Sequence, residues 1–152
     1  MKRKEVCILT NMCMIYNEDK ILVQDRLNPN WSGITFPGGH VELNESFVES
    51  TVREMQEETG LKVTNLKLCG IKQWNESNGD YNRYIVVLFK TNSFEGELKS
   101  SSEGKVFWIK KDELSKYKLA PGFESLLEVF FNDDVNENFH YIENDKWLSK
   151  NL

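Results

Sequence analysis

The sequence predicts an α+β domain built around a mixed β-sheet, and three observations carry that prediction. Strand-like apolar runs outnumber helical stretches and do not alternate with them strictly, which argues against an all-parallel sheet. Two segments combine helical spacing of apolar residues with local start or stop signals. The chain has 152 residues, 39% hydrophobic, 12% aromatic and 28% charged, which is the composition and size of one folded domain with its own core.

Val6–Tyr16 and Ile21–Gln24 are apolar runs separated by Asn17-Glu18-Asp19-Lys20, the pattern of a β-hairpin. Asn28-Pro29-Asn30 and Ser32-Gly33 mark an irregular loop, after which Ile34-Thr35-Phe36 forms a very short strand ending at Pro37-Gly38-Gly39. Ser46 followed three residues later by Glu49 is a capping box, and the helix it opens runs to Thr59 with Gly60 as its left-handed stop. Strands are predicted over Leu66–Trp74, Arg83–Lys90 and Val106–Ile109, with a turn-rich loop, Asn75–Asn82, between the first two. Asp112–Tyr117 reads as a short helix, and Gly122–Asn132 as a longer one with Phe123, Leu126, Leu127 and Phe130 facing inward. Asn132–Asn138 is polar and expected at the surface. Phe139–Ile142 and Trp147-Leu148, around Glu143-Asn144-Asp145-Lys146, form a second hairpin for which docking on the sheet or on a partner subunit stays open. Residues 1–132 thus make the domain, with 133–152 a C-terminal extension of it.

Composition excludes several functions. Fifteen lysines and four arginines on a net charge of −5 do not make a nucleic-acid binder. No apolar run approaches the roughly 18 residues of a membrane span. Met1-Lys2-Arg3-Lys4 is followed by too short an apolar stretch for a signal peptide, so a cytoplasmic protein is expected. Cys7, Cys13 and Cys69 are odd in number and lack a CxxC pair, as in a reducing compartment. With only His40 and His140 available, zinc has too few ligands, while a thiol nucleophile paired with a histidine stays as an alternative. A metal, if used, is a hard one held by oxygen.

Negative charge is local. Gly39–Leu61 holds six of the 24 acidic residues (Glu42, Glu45, Glu49, Glu54, Glu57 and Glu58) against the single base Arg53, and the remainder of the chain is neutral. With Phe47 at 0° and 100° per residue, Phe47, Val48, Thr51, Val52 and Met55 fall in an apolar sector of about 140°. Glu57, Glu54 and Glu58 fall at about 280°, 340° and 20° on the same wheel. Like charges at neighbouring helical positions, in the C-terminal half where the helix dipole disfavours anions, carry two penalties that a cation offsets. Mg²⁺ fits such a set of hard oxygens. The plainer alternative is a solvated acidic face with Arg53 paired to Glu57.

The whole segment decides between these. Gly39, five residues, Glu45, seven residues, then Arg53-Glu54-Met55-Gln56-Glu57-Glu58-Thr59-Gly60-Leu61 matches every fixed position of G-x5-E-x7-R-E-U-x-E-E-x-G-U, with U aliphatic. The chain therefore resembles the Nudix hydrolases through residues 39–61. That resemblance implies an α/β/α sandwich with a mixed, curled sheet and hydrolysis of a nucleoside diphosphate linked to another group. It implies Mg²⁺, with Mn²⁺ as a substitute, held by Glu54, Glu57, Glu58 and the Gly38 carbonyl. Glu57, or an acidic residue from a later loop, would orient or deprotonate water; Arg53 would hold Glu57; Glu45 would support the loop or reach metal through water.

Outside the box, the resemblance implies a phosphate contact for Arg26 and for His40, and a late glutamate at Glu103, before Val106–Ile109. Thr35-Phe36-Pro37-Gly38-Gly39 leads into the box and joins the substrate-binding set. The nearest type is the MutT-like (deoxy)nucleoside triphosphate diphosphatase, which acts on oxidised nucleotides such as 8-oxo-dGTP and releases monophosphate and pyrophosphate. In bacterial examples an asparagine before the last helix reads the oxidised base, whereas Leu119-Ala120-Pro121-Gly122-Phe123 has none. Trp31, Trp74, Tyr84 and Phe123 are candidate base-stacking surfaces. ADP-ribose or another nucleoside diphosphate derivative is the alternative substrate, and a nucleotide-binding module without catalysis the alternative class. No membrane or nucleic-acid polymer partner is expected, and a homodimer stays open.

Overall fold

The computed structural model describes residues 3–76 and 79–152. Within them the chain forms β1 (Cys7–Asn17), β2 (Lys20–Arg26), β3 (Gly33–Thr35), β4 (Gly38–His40), α1 (Phe47–Thr59), β5 (Leu61–Thr64), β6 (Lys67–Asn75), β7 (Arg83–Thr91), β8 (Ser93–Gly96), β9 (Gly104–Lys110), α2 (Phe123–Phe131), β10 (Glu137–Glu143) and β11 (Lys146–Asn151). A 3-10 turn occupies Lys111–Lys116, where a short helix was expected. Met1 and Lys2 of the basic start, and Ser77 and Asn78 of the loop expected over Asn75–Asn82, lie outside the described residues.

The main sheet runs β11-β10-β6-β7-β1-β2-β3, with β4 added on β1 and β9 on β2, while β5 and β8 pair separately. Antiparallel and parallel neighbours mix, since β1 is parallel to β7 and β10 to β6. The predicted first hairpin is shorter than its apolar runs imply. β1 and β2 share only the rungs Tyr16–Ile21 and Asn17–Lys20, then separate. β1 continues along β7 and β4, and β2 along β9 and β3, so this corner curls the sheet. Alternation of side chains across the pleat then builds two cores. Met12, Met14, Ile21, Val23, Val86 and Leu88 meet α2 on one face. Cys13, Ile15, Leu22, Val87 and Phe89 meet Met55 of α1 and the β5 residues on the other. Both faces of the central strands are covered, giving the α+β sandwich expected.

α1 has the capping box at Ser46 and Glu49, and Gly60 ends it at φ 75°. Its orientation differs from the predicted stripe. Phe47 and Val48 are 39% and 47% exposed, and the inward residues are Ser50, Thr51, Met55, Glu58 and Thr59. Polar partners explain the rotation, because Asn11 Nδ2 donates to Ser50 Oγ at 2.9 Å and the Gly38 amide donates to Glu58 at 3.0 Å. In α2, Phe123, Leu126, Val129 and Phe130 are the buried set, with Leu127 only partly covered.

The second hairpin docks on the sheet. β10 pairs with β6 from Glu137–Ile71 to His140–Trp74, and Asn144 and Asp145, both at positive φ, make its tight turn. Contrary to the polar surface expected over Asn132–Asn138, Asn138 is fully buried. Its amide donates to Asn151 at 2.8 Å, and Asn151 in turn donates to the Ser125 carbonyl and Glu128 of α2. These bonds fix the hairpin as one wall of the cleft described next.

Candidate active site

Glycines bring the β4 segment close to α1. Gly38 and Met12 face each other between bonded neighbours of the β1–β4 ladder, so the Gly38 amide turns from β1 and reaches Glu58 Oε2 at 3.0 Å. A Cβ on Gly39 would fall on the Glu54 carboxylate, and one on Gly38 on the Asn11 carbonyl. Only the bare backbone leaves those carboxylates where they lie.

Arg53 ties α1 to the same β4 segment and the loop after it. Its Nε and Nη2 each bond Glu45 at 2.8 Å, its Nη1 bonds Glu54 at 2.9 Å and Glu57 at 3.4 Å, and Nη2 also reaches the His40 carbonyl at 3.0 Å. The pairing with Arg53 and the Glu42 amide drop the Glu45 carboxyl to about 2. Glu45 therefore serves as a permanent anion that holds the guanidinium and, through it, the loop after β4.

The other two glutamates behave oppositely. Burial pushes Glu54 up, opposed by Arg53. Glu58 is 5% exposed, and burial, with Glu54 and Glu103 as neighbouring anions, raises it to about 7 against the Gly38 and Gln24 hydrogen bonds. Glu57, expected among the catalytic and metal residues, has a side chain 59% exposed, paired to Arg53 at 3.4 Å, and does not line the cleft described below. Desolvated carboxylates facing further carboxylates form a centre of excess negative charge made of hard oxygens, which suits a divalent ion. Among the described residues no three His, Cys, Asp or Glu side chains already stand at metal-holding spacing. Arg53 takes one oxygen each from Glu54 and Glu57 and leaves the second oxygen of each carboxylate unbonded to it.

These groups close one end of a cleft of about 490 Å³. Gly38, Gly39, His40, Glu54, Glu58 and Glu103 line that end, and Arg26 joins them. Arg26 stacks its guanidinium 4.7 Å from the centre of the Trp31 ring, and its Nε is buried with no partner among the described residues. Trp31, Trp74 and Tyr84 line the cleft too, with the last two stacked at 4.3 Å. Thr35 and Pro37 are not brought to it. Thr35 is fully buried, and the Pro37 carbonyl accepts from the Cys13 amide. Phe36 touches the cleft but chiefly packs edge-on against Phe123 and Phe130, each at 4.9 Å, which also removes Phe123 from the stacking candidates. The thiol alternative finds no support, because none of Cys7, Cys13 and Cys69 lines the cleft, and burial pushes the Cys13 thiol far up and Cys69 to about 11, away from the thiolate form a nucleophile needs.

Sequence reasoning missed Asn11, Gln24 and Lys72. Asn11 accepts from the Gly39 amide at 3.3 Å, and Gln24 donates to Glu58 at 3.4 Å. Asn11 lies within the apolar run Val6–Tyr16 and Gln24 ends the run Ile21–Gln24, a polar residue in an apolar strand being a signal that was present, whereas Lys72, beside Gln73, carried none.

The fold and this acid-lined cleft with an aromatic far end define a hydrolase of phosphate anhydrides. The NUDIX domain family model matches residues 9–130, and the chain belongs to the Nudix family. It is 32% identical over 120 residues to the CTP pyrophosphohydrolase of Escherichia coli, spanning 77% of this chain and 86% of that one. It is 29% identical over 145 residues to the Nudix hydrolase YvcI of Bacillus subtilis, spanning 92% and 90%. Among solved structures, a MutT protein from Bacillus halodurans superposes with a TM-score of 0.76 at 28% identity, over 94% of this chain and 97% of that one. The chain is thus a Nudix pyrophosphohydrolase of nucleoside diphosphate-linked compounds, in a family that typically uses a divalent metal. No helix among the described residues is long and apolar enough to cross a membrane.

Proposed function

We propose that the chain is a MutT-like nucleoside triphosphate diphosphatase that releases a nucleoside monophosphate and pyrophosphate. The observation that carries this reading is the polarity of the cleft, with the carboxylates and Arg26, stacked on Trp31, at one end and Trp74 and Tyr84, two to three strands from β4, toward the other. A triphosphate and its base are divided the same way. The similarity to a MutT protein and to a CTP pyrophosphohydrolase supports a triphosphate substrate.

Glu54, Glu57, Glu58 and the Gly38 carbonyl would hold Mg²⁺, or Mn²⁺ in its place. Bound there, the metal neutralises the phosphates and lowers the pKa of a water. The chain's own residues do the rest. Arg26 meets phosphate charge with a donor that has no other partner, and the Gly38-Gly39 backbone lets the phosphates approach. Arg53, locked by Glu45, fixes where Glu54 and Glu57 point. The attacking water forms the new P–O bond as the anhydride P–O bond breaks, with its electron pair leaving on pyrophosphate. The water's proton passes to a carboxylate, for which Glu57, beside Glu54 on α1, and Glu103, which lines the cleft, are the two candidates.

The test is kcat/KM with Mg²⁺ for 8-oxo-dGTP, dGTP, CTP and ADP-ribose, with products identified. Cleavage of triphosphates to monophosphate and pyrophosphate is expected. Faster cleavage of ADP-ribose would keep the family chemistry and discard the triphosphate reading. A preference for 8-oxo-dGTP over dGTP would add the nucleotide-sanitising role.

A further inference from the structure

The far end of the cleft holds a cation that none of the preceding chemistry uses. Lys72 lies mid-strand on β6, 7% exposed, and its side chain lines the cleft. It makes no hydrogen bond or ion pair among the described residues, and burial alone lowers its ammonium to about 8. A buried ammonium with no counter-charge is costly unless something else accepts its hydrogens. His140 does not supply the charge. Its Nε2 is buried without a partner, and burial together with Lys72 itself pushes the imidazole down. Trp74 offers only its ring, 5.9 Å away.

Position adds a second, independent argument. Strand register places Lys72 opposite Val86, Val86 beside Thr10, and Thr10 opposite His40, so one row crosses β6, β7, β1 and β4. All four residues line the cleft. Three interstrand spacings separate the ends of the row by about 14 Å. Lys72 is therefore three strands across the cleft from His40, whose neighbour Gly39 abuts the Glu54 carboxylate, a span on the scale of a nucleoside, and it lies beside the Trp74–Tyr84 stack on which a base can lie. Gly122 packs close to both groups: a Cβ there would stand 3.0 Å from Lys72 Nζ and 3.2 Å from His140 Cε1, so a side chain at 122 would press on the ammonium and the imidazole.

We infer that Lys72 reads the base, donating to the keto oxygen of a purine, so that 6-keto purine nucleotides are preferred to 6-amino ones. This rests on the cleft being a nucleotide site. An ammonium has three donors and no acceptor, so it meets two acceptors on the O6/N7 edge of a 6-keto purine, whereas a 6-amino purine offers it N7 alone and sets a donor against it at position 6. A buried donor left unpaired discriminates more strongly than an added apolar contact does.

ITP and ATP test this, since they differ at the purine 6-position and in the N1 proton that accompanies the keto form. The wild-type chain should favour ITP in kcat/KM by roughly 10- to 100-fold. In Lys72→Met that ratio should collapse toward one, with kcat on ITP within about threefold of wild type, since binding of the base and not the chemistry is lost. Lys72→Gln, which offers both a donor and an acceptor, should also flatten the ratio. Should Lys72→Met not fold, it serves as the second variant. Calorimetric binding of the α,β-methylene analogues of ITP and ATP, with Mg²⁺, separates this inference from the proposed function. Absent turnover with a Lys72-dependent difference in Kd would overturn the triphosphatase reading and leave the base reader standing. A wild-type chain indifferent to the two bases, or a ratio that survives Lys72→Met and Lys72→Gln, would overturn the base reader.

Discussion

The two ends of the cleft are built on opposite terms. At the carboxylate end, Arg53 bonds Glu45, Glu54, Glu57 and the His40 carbonyl, and the Gly38 amide bonds Glu58. At the far end, Lys72 has no hydrogen-bond or ion-pair partner among the described residues, and the buried His140 Nε2 has none either. Arg26 Nε apart, which is left without a partner, the donors of the carboxylate end are spent on its own side chains and organise it for fixed geometry, while the unspent donor of the far end is organised to bind. Chemistry therefore belongs to the first and recognition to the second, and each can be perturbed without the other.

The largest effect is expected from Glu57→Gln, which should lower Mg²⁺-dependent turnover by roughly 10²- to 10⁴-fold on every base, with an unchanged melting temperature. Steady-state kinetics across several nucleotides checks this, and a loss confined to one base would break the division. Arg53→Lys keeps the charge but cannot bond Glu45 through two nitrogens while reaching Glu54 and Glu57. A fall in kcat of roughly 10- to 100-fold, with Mg²⁺ affinity weakened alongside, is the expected outcome. Glu103→Gln should lower kcat about tenfold, more than it raises KM. An effect on KM alone would move Glu103 to substrate binding.

The smallest effect is thermodynamic and belongs to the far end. The Lys72 ammonium is lowered to about 8 from 10.5, so the folded chain holds that proton less tightly than the unfolded one. Below about pH 8 this costs stability, on the order of 3 kcal/mol, and the cost fades as pH rises toward 10.5. Of the titratable groups named against it, His140 is pushed down by the same charge and adds no counter-ion. Lys72→Met should accordingly melt a few degrees higher than wild type at pH 7, with the gap closing by pH 10. A lower melting temperature at pH 7 would mean that Lys72 holds the fold together.

The same contrast explains what the sequence disclosed. The carboxylate end lies within Gly39–Leu61, and one helix with a local cap at Ser46 and stop at Gly60 sets its spacing, so it could be read off residue by residue. Even there the rotation of α1 was not legible, since Asn11 and the Gly38 amide, from strands far away in sequence, turn Glu58 inward and leave Phe47 out. The far end draws on Lys72, Trp74, Tyr84, Gly122 and His140, brought together by the β6–β7 and β6–β10 registers. A lysine in a strand reads as a surface residue until its neighbours are known. β4, β5 and β8, of three or four residues each, were too short to show a period. The first hairpin was overestimated because the longer partner of β1 is β7, some 75 residues on.

The most direct test of two independent ends is a double-variant cycle. Glu103→Gln, Lys72→Met and their combination are assayed on ITP and ATP with Mg²⁺. Glu103→Gln should lower kcat/KM by one factor on both nucleotides and Lys72→Met should change only their ratio. The double variant should equal the product of the two effects within about twofold. A Glu103→Gln effect that depends on the base, or a double variant about tenfold away from that product, would contradict the division of the cleft.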